Sequence, residues 1–160
     1  MAKKTIIVFS GEYDKLMAAF IIANGAAAMD DEVVLFFTFW GLNALRKPEA
    51  TPSSVSATKS GLQRMFGRMM ARGPERQALS KMNFAGVGQR LMKRVMRDEN
   101  VMSLTELIDS AREQGVKIIA CTMSMDVMGI RKEELIDDIE YAGVAAYLGE
   151  ADESNVNLFI

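Results

Sequence analysis

Residues 33–42 read VVLFFTFWGL. Most of this run is apolar, and it does not alternate. A strand facing water on one side alternates between apolar and polar residues. A strand covered on both sides does not, and it belongs to the middle of a parallel sheet. At ten residues the run is also about half the roughly 20 that a membrane-crossing helix needs. Residues 33–39 therefore predict a central parallel strand, closed by Trp40 and Gly41.

The flanks agree. Residues 5–9, TIIVF, form a short β-rich run bounded by Ser10, Gly11 and Glu12, a second buried strand. Residues 13–29 read as a helix, ended by Asp30 and Asp31. No charge falls between Leu16 and Met29. A helix without a polar side needs cover on both faces. One face packs on the sheet; the other needs the inserted segment or a second subunit. Residues 101–114 predict a further helix. Ser103 and Glu106 have the capping-box spacing, and Leu104, Leu107, Ile108 and Ala111 make one stripe. Gly115 stops it, and strand 116–120, VKIIA, follows. Residues 131–141 read as an amphipathic helix, 144–148 (VAAYL) as a fourth strand and 156–160 as a terminal strand. Strands alternating with helices make an α/β sandwich around a mainly parallel sheet of about five strands. The chain is one domain, residues 1–160.

Residues 48–99 interrupt the alternation after the second strand. They open with a Pro-, Ser- and Thr-rich linker, PEATPSSVSATKSG, and continue with two helical pieces near 62–72 and 88–97. Charge is concentrated here. Residues 59–97 hold ten lysines and arginines against one acid, Glu75, while the rest of the chain holds nine basic and twenty acidic residues. Six of the thirteen methionines also lie between 59 and 97. A basic, methionine-rich arm suits a partner or a membrane surface. Nucleic acid is not expected, because Phe66 and Phe84 are too sparse for a stacking platform. The start of the chain lacks a secretory signal pattern, so a cytoplasmic setting is expected.

The chain has no histidine and a single cysteine, Cys121. Histidine-based triads and dyads, an internal disulfide and a cysteine-built metal site are excluded within one chain. No Gly-x-Gly-x-x-Gly or Walker pattern is present. Neither a metal nor a cofactor is expected. Cys121 follows strand 116–120 directly, in ACTMSMDVMG (residues 120–129). Ligands of open α/β sheets bind at the carboxyl ends of strands, so Cys121 joins Ser10, Gly11, Thr38, Trp40 and Gly41 on one edge. A thiol there needs activation, which the amides of 122–125, the hydroxyls of Thr122 and Ser124, or a following helical turn can supply. Met123, Met125 and Met128 would form an apolar wall, and Asp126 would cap the loop or contact a backbone amide. The competing reading is a buried cysteine acting as a small hydrophobe. Trp40, at the end of a buried strand, reads first as core, with a pocket wall as the alternative. Ser10, Gly11 and Glu12 read first as a helix cap, with an anion site as the alternative.

FTFWGL (37–42), ACTMSMDVMG (120–129) and the opening IIVFSGEYDKLMAAFIIANGAAAM resemble the DsrE/DsrF-like family of small sulfur-transfer proteins. The basic insert resembles that of one DsrE-like subgroup. The resemblance implies a flavodoxin-like three-layer fold and a homo- or hetero-oligomer. It also implies one reactive cysteine, matched here by Cys121, that carries sulfur as a persulfide between donor and acceptor proteins or small sulfane-sulfur compounds. The insert departs from the pattern of members that serve tRNA thiolation. A rival expectation is a non-catalytic binding or assembly subunit that docks through residues 59–97. Another is a redox-sensing thiol.

Overall fold

A computed structural model describes residues 1–49 and 60–160. Most of the linker of 48–61, and Lys59, lie outside the described residues. Five strands form one parallel sheet in the order β4-β3-β2-β1-β5. They are β1 (Lys3–Val8), β2 (Glu32–Phe37), β3 (Lys117–Cys121), β4 (Glu140–Ala142) and β5 (Val156–Phe159). The helices are α1 (Tyr13–Ala27), α2 (Gly61–Met69), α3 (Val87–Asp98), α4 (Leu104–Glu113), α5 (Thr122–Met128) and α6 (Val144–Asp152).

The order explains the layers. The chain steps from β1 to β4 in one direction across the sheet, and right-handed crossovers put α1, α4 and α5 on one face. It then returns from β4 to β5, and the same handedness sends α6 to the other face. The first face holds the main core, where Ile6, Leu35, Phe37 and Ile118 meet Leu16, Phe20, Leu104 and Met125. The second holds a small cluster: Val34, Phe36, Ile119, Cys121 and Tyr147. β2 supplies both, as its unbroken apolar run requires. This is the flavodoxin-like three-layer sandwich, with a helical insert after the second strand.

Two expectations are corrected. Residues 144–148 are not a strand; they open α6, and the fourth strand is Glu140–Ala142. Short apolar runs do not separate strand from helix by periodicity, and Ala145, Ala146 and the following GEAD favour helix. Residues 131–141 are not a helix. A 3₁₀ turn covers Lys132–Glu134, and the chain then extends. Leu135 bridges Arg46 antiparallel, Ile136 N–H donates to the Leu45 carbonyl, and Asp138 has φ 58°. Tertiary pairing and a left-handed residue override the apolar spacing.

Residues from Ser60 onward pack on the carboxyl end of the domain, largely through polar contacts. Gln63 donates to the Asp126 carbonyl, Tyr13 N–H to the Ala78 carbonyl and Ser80 N–H to Asp14. Glu75 accepts from Thr105 and pairs with Lys93 at 2.7 Å. Beneath them lies a buried ion pair. Arg46, 1% exposed, meets Glu134 at 2.9 Å, with Arg72 of the insert on the same oxygen at 3.3 Å. Burial lowers the Arg46 pKa, and the neighbouring Arg72 charge adds to that.

Candidate functional site

Three loops converge where β1, β2 and β3 end. Gly41 N–H donates to the Phe9 carbonyl at 2.9 Å, and the Thr38 and Ser124 hydroxyls lie 2.6 Å apart. The approach is close enough to demand glycine. A Cβ on Gly41 would fall 2.2 Å from the Val8 carbonyl oxygen, and one on Gly11 would fall 2.7 Å from that of Trp40. Both obstacles are backbone, which cannot rotate away. Phe39, between them, sits at φ 46°, in the left-handed region that bulky residues avoid. Ser10, Gly11, Thr38, Trp40 and Gly41 therefore share the edge expected of them.

Within this edge a cavity of about 550 Å³ lies between Ser10, Gly11, Trp40 and the insert at Met70, Ala71 and Gln77. Trp40 is 44% exposed and its ring stands 6.1 Å from that of Phe66 on α2. It is a wall of the rim rather than core. The start of α1 does not await an anion. The Ala78 carbonyl takes the Tyr13 N–H, and Ser10 Oγ takes that of Glu12. Asp14, in the first turn, is held by Ser80. Burial opposes its ionisation, but the Ser80 hydrogen bonds outweigh that and keep its pKa low.

The thiol differs from expectation. Cys121 is the last residue of β3, pairs in register with Ala142, and is the N-cap of α5. It is only 3% exposed and is not among the residues lining the carboxyl-edge cavity. Alternation along β3 is the reason. Ile118 and Ala120 face the main core, so Ile119 and Cys121 face the second sheet face, toward Phe36 and Tyr147. Its side chain makes no capping hydrogen bond to α5. The proposed surroundings divide accordingly. Ser124 and Met125 are buried on the α5 side, with Met125 in the main core, whereas Met123 and Asp126 are exposed and Thr122 is half-buried. The methionine wall expected around the sulfur is not assembled: Met125 and Met128 lie in the main core on the opposite side of the sheet, and Met123 is exposed. Asp126 takes part through its backbone carbonyl, which accepts from Gln63.

Sequence reasoning missed Tyr147, whose ring stands 5.1 Å from Phe36 above the thiol's cluster. Reading 144–152 as a helix would have revealed it, because Tyr147 and Ala151 are four residues apart and share one face. It also missed Arg46 and Glu134, 88 residues apart in sequence, for which no local signal exists. Among the described residues no three His, Cys, Asp or Glu side chains gather into a metal-binding group.

Fold and site together define a small parallel α/β protein of flavodoxin-like type with one strand-end cysteine. The chain belongs to the DsrE/DsrF/DrsH-like family, which it matches over residues 1–159. It is 59% identical over 158 residues to the uncharacterized protein YrkE of Bacillus subtilis strain 168, covering 99% of this chain and 96% of that one. It is 36% identical over 163 residues to the sulfur carrier protein DsrE2 of Allochromatium vinosum, covering 99% and 98% respectively. Among solved structures it resembles the ychN protein from E. coli, with a TM-score of 0.57 at 13% identity over the whole of both chains. It also resembles MTH1491 of Methanobacterium thermoautotrophicum, with a TM-score of 0.57 at 9% identity over 99% of both. At such identities these two likenesses speak for the fold alone.

Proposed function

We propose that the chain is a small sulfur carrier that holds sulfane sulfur as a persulfide on Cys121 and passes it to a partner thiol. The observation that carries this reading is the placement of the chain's only thiol, where β3 ends and α5 begins, in a member of this family. The relationship to a protein named as a sulfur carrier supports a role in sulfur relay. The chemistry needs no second cysteine and no resident base. The Cys121 thiolate attacks the terminal sulfane sulfur of a donor, forms the new S–S bond and releases the donor thiolate. An acceptor thiolate then attacks the outer sulfur and displaces Cys121 as thiolate. No net oxidation accompanies the cycle.

On this reading the carboxyl edge at Ser10, Gly11, Thr38, Trp40 and Gly41, with the exposed Met123 and Asp126, receives donor and acceptor. Cys121 lies buried in one cluster with Tyr147 of α6, so on this reading transfer requires that α6 yield. The exposed Ile21 and Ile22 of α1, with Met29 in the turn that follows, serve a homo-oligomer contact. A cytoplasmic setting suits a lone reduced thiol.

A second reading is favoured by the burial of Cys121: a non-catalytic binding or assembly subunit that docks through its insert. One experiment separates the two. The full chain is incubated with polysulfide and its intact mass is measured before and after reductant. A gain of one sulfur, absent in Cys121→Ser and reversed by dithiothreitol, is expected of the carrier. An unchanged mass, with iodoacetamide failing to label the folded chain, leaves the binding subunit standing instead.

A further inference from the structure

The insert's two longer helices carry apolar rows on their outward sides. α2 turns Gln63, Gly67 and Met70 toward the body and leaves Leu62, Met65, Phe66 and Met69 exposed. Those four fall at i, i+3, i+4 and i+7, a complete apolar stripe facing water. α3 does the same. Its less exposed side is Gln89, Lys93 and Met96. Gln89 donates to the Glu75 and Gln77 carbonyls, and Lys93 pairs with Glu75. Val87, Leu91 and Val95 point outward, with Leu91 60% exposed and Leu62 of α2 72%. An ordinary surface helix has the opposite arrangement, apolar side in and polar side out.

Both stripes lie at the same end of the molecule. α2 rests on α5, which starts where β3 ends. α3 rests on Tyr13 at the start of α1 and, through Glu75, on Thr105 at the start of α4. Helices that return antiparallel to the strands start at the strands' carboxyl ends. The exposed apolar rows therefore flank the carboxyl edge of the sheet, at which β3 ends.

Charge selects the occupant. Arg64 and Arg68 accompany the stripe on α2, and Arg90, Arg94 and Arg97 that on α3. Between residues 60 and 97 the only acid is Glu75, which Lys93 and Thr105 already engage. Self-pairing of this face in a two-fold dimer would oppose arginine rows to each other. Helices that carry Leu, Phe and Met along one side and arginines beside them lie in the headgroup layer of an acidic bilayer. They do not span it. Nine and twelve residues reach about 13 and 18 Å at ~1.5 Å per residue, short of the ~30 Å hydrocarbon core. Among the described residues no helix is long and apolar enough to cross a membrane.

We propose that α2 and α3 dock the carboxyl end of this domain onto an anionic phospholipid surface. Each basic side chain near such a surface strengthens partitioning by about fivefold, and salt weakens it. The proposal does not depend on persulfide chemistry.

Trp40, the only tryptophan, stands beside Phe66 and reports the contact. The full chain is sedimented with vesicles of phosphatidylcholine alone or enriched in phosphatidylglycerol, and Trp40 quenching by brominated lipid is recorded. Binding to the acidic vesicles only, reduced by salt and accompanied by quenching, is expected. Arg90→Gln with Arg94→Gln lowers the partition coefficient by about 25-fold. Leu62→Gln with Phe66→Gln, and Leu91→Gln with Val95→Gln, each lower it further, and these exposed sites leave the circular dichroism intact. Cys121→Ser binds as the natural chain does. Failure to bind acidic vesicles at low salt overturns the proposal, as does binding indifferent to the apolar substitutions. Self-association that these same substitutions abolish would assign the face to a second copy and overturn it too.

Discussion

Tyr147→Ala tests whether α6 is the cover over the thiol. Tyr147 is the one buried side chain of α6 and sits against Phe36 in the cluster that holds Cys121. Burying a side chain of this kind contributes about 2–3 kcal/mol. Lifting α6 to bare the sulfur costs at least that much. At ~1.36 kcal/mol per tenfold, the closed state slows labelling of Cys121 by about 30- to 150-fold relative to an open thiol. Alanine removes most of that barrier. The assay is the rate of reaction with a disulfide reagent under native conditions, followed by absorbance. Tyr147→Ala should react about 30- to 150-fold faster than the natural chain. A large-to-small change also lowers global stability, by ~3–5 kcal/mol for an aromatic side chain, so a control is needed. Leu107→Ala empties a site of the main core, across the sheet from the thiol. It destabilises comparably and should leave the labelling rate almost unchanged. Equal acceleration by both variants would mean that Cys121 reacts only through global unfolding. No acceleration in Tyr147→Ala, with intact circular dichroism, would mean that α6 is not the cover. Either result refutes the reasoning.

Two further outcomes follow from the packing of the insert and its base. Glu134→Gln keeps the shape and the acceptor for Arg131 N–H but leaves the buried Arg46 charge unpaired. Chemical denaturation should show a loss of about 3–5 kcal/mol, whereas Glu49→Gln, at an exposed site, should show almost none; a loss under ~1 kcal/mol for Glu134→Gln would mean water reaches the pair. Burial pushes the Glu75 carboxyl up, but the Lys93 ion pair and the Thr105 hydrogen bonds pull it further down, so it stays below the usual glutamate range. A depressed folded-state pKa gives stability that is present above the unfolded value and lost as pH falls through the folded one. Amide exchange across 87–97 should therefore stay slow from neutral pH to the ordinary carboxylate range and accelerate only below it. Glu75→Gln should exchange fast at every pH, and a flat profile in the natural chain would contradict the assignment.

The parts of the fold that were legible in the sequence are those where local pattern and tertiary demand coincide. The unbroken run of β2 could only be a central strand. Ser103 and Glu106 formed the capping box their spacing announces. The insert's helices fall close to their expected places, at Gly61–Met69 and Val87–Asp98. Legibility failed between 131 and 148, where Leu135 and Ile136 are apolar because they pair with residues 45 and 46, a partner no periodicity reveals. The site was half legible. Convergence of the loops at Ser10, Thr38, Trp40 and Gly41 follows from a parallel sheet. The direction of the Cys121 side chain depends on the parity of β3, and the sequence carried that information: Ile118 and Ala120 share one face, so the cysteine belongs to the other. What covers it depended on recognising α6 as a helix.

The return from β4 to β5 has a mechanical consequence. α6 is the one link between the two outermost strands of the sheet, three and four residues long, which sit at opposite borders. A force that raises it pulls on both borders at once, as a strap lifted at its middle tugs both buckles. On the proposed carrier reading, baring Cys121 and loosening the sheet's margins would be one event.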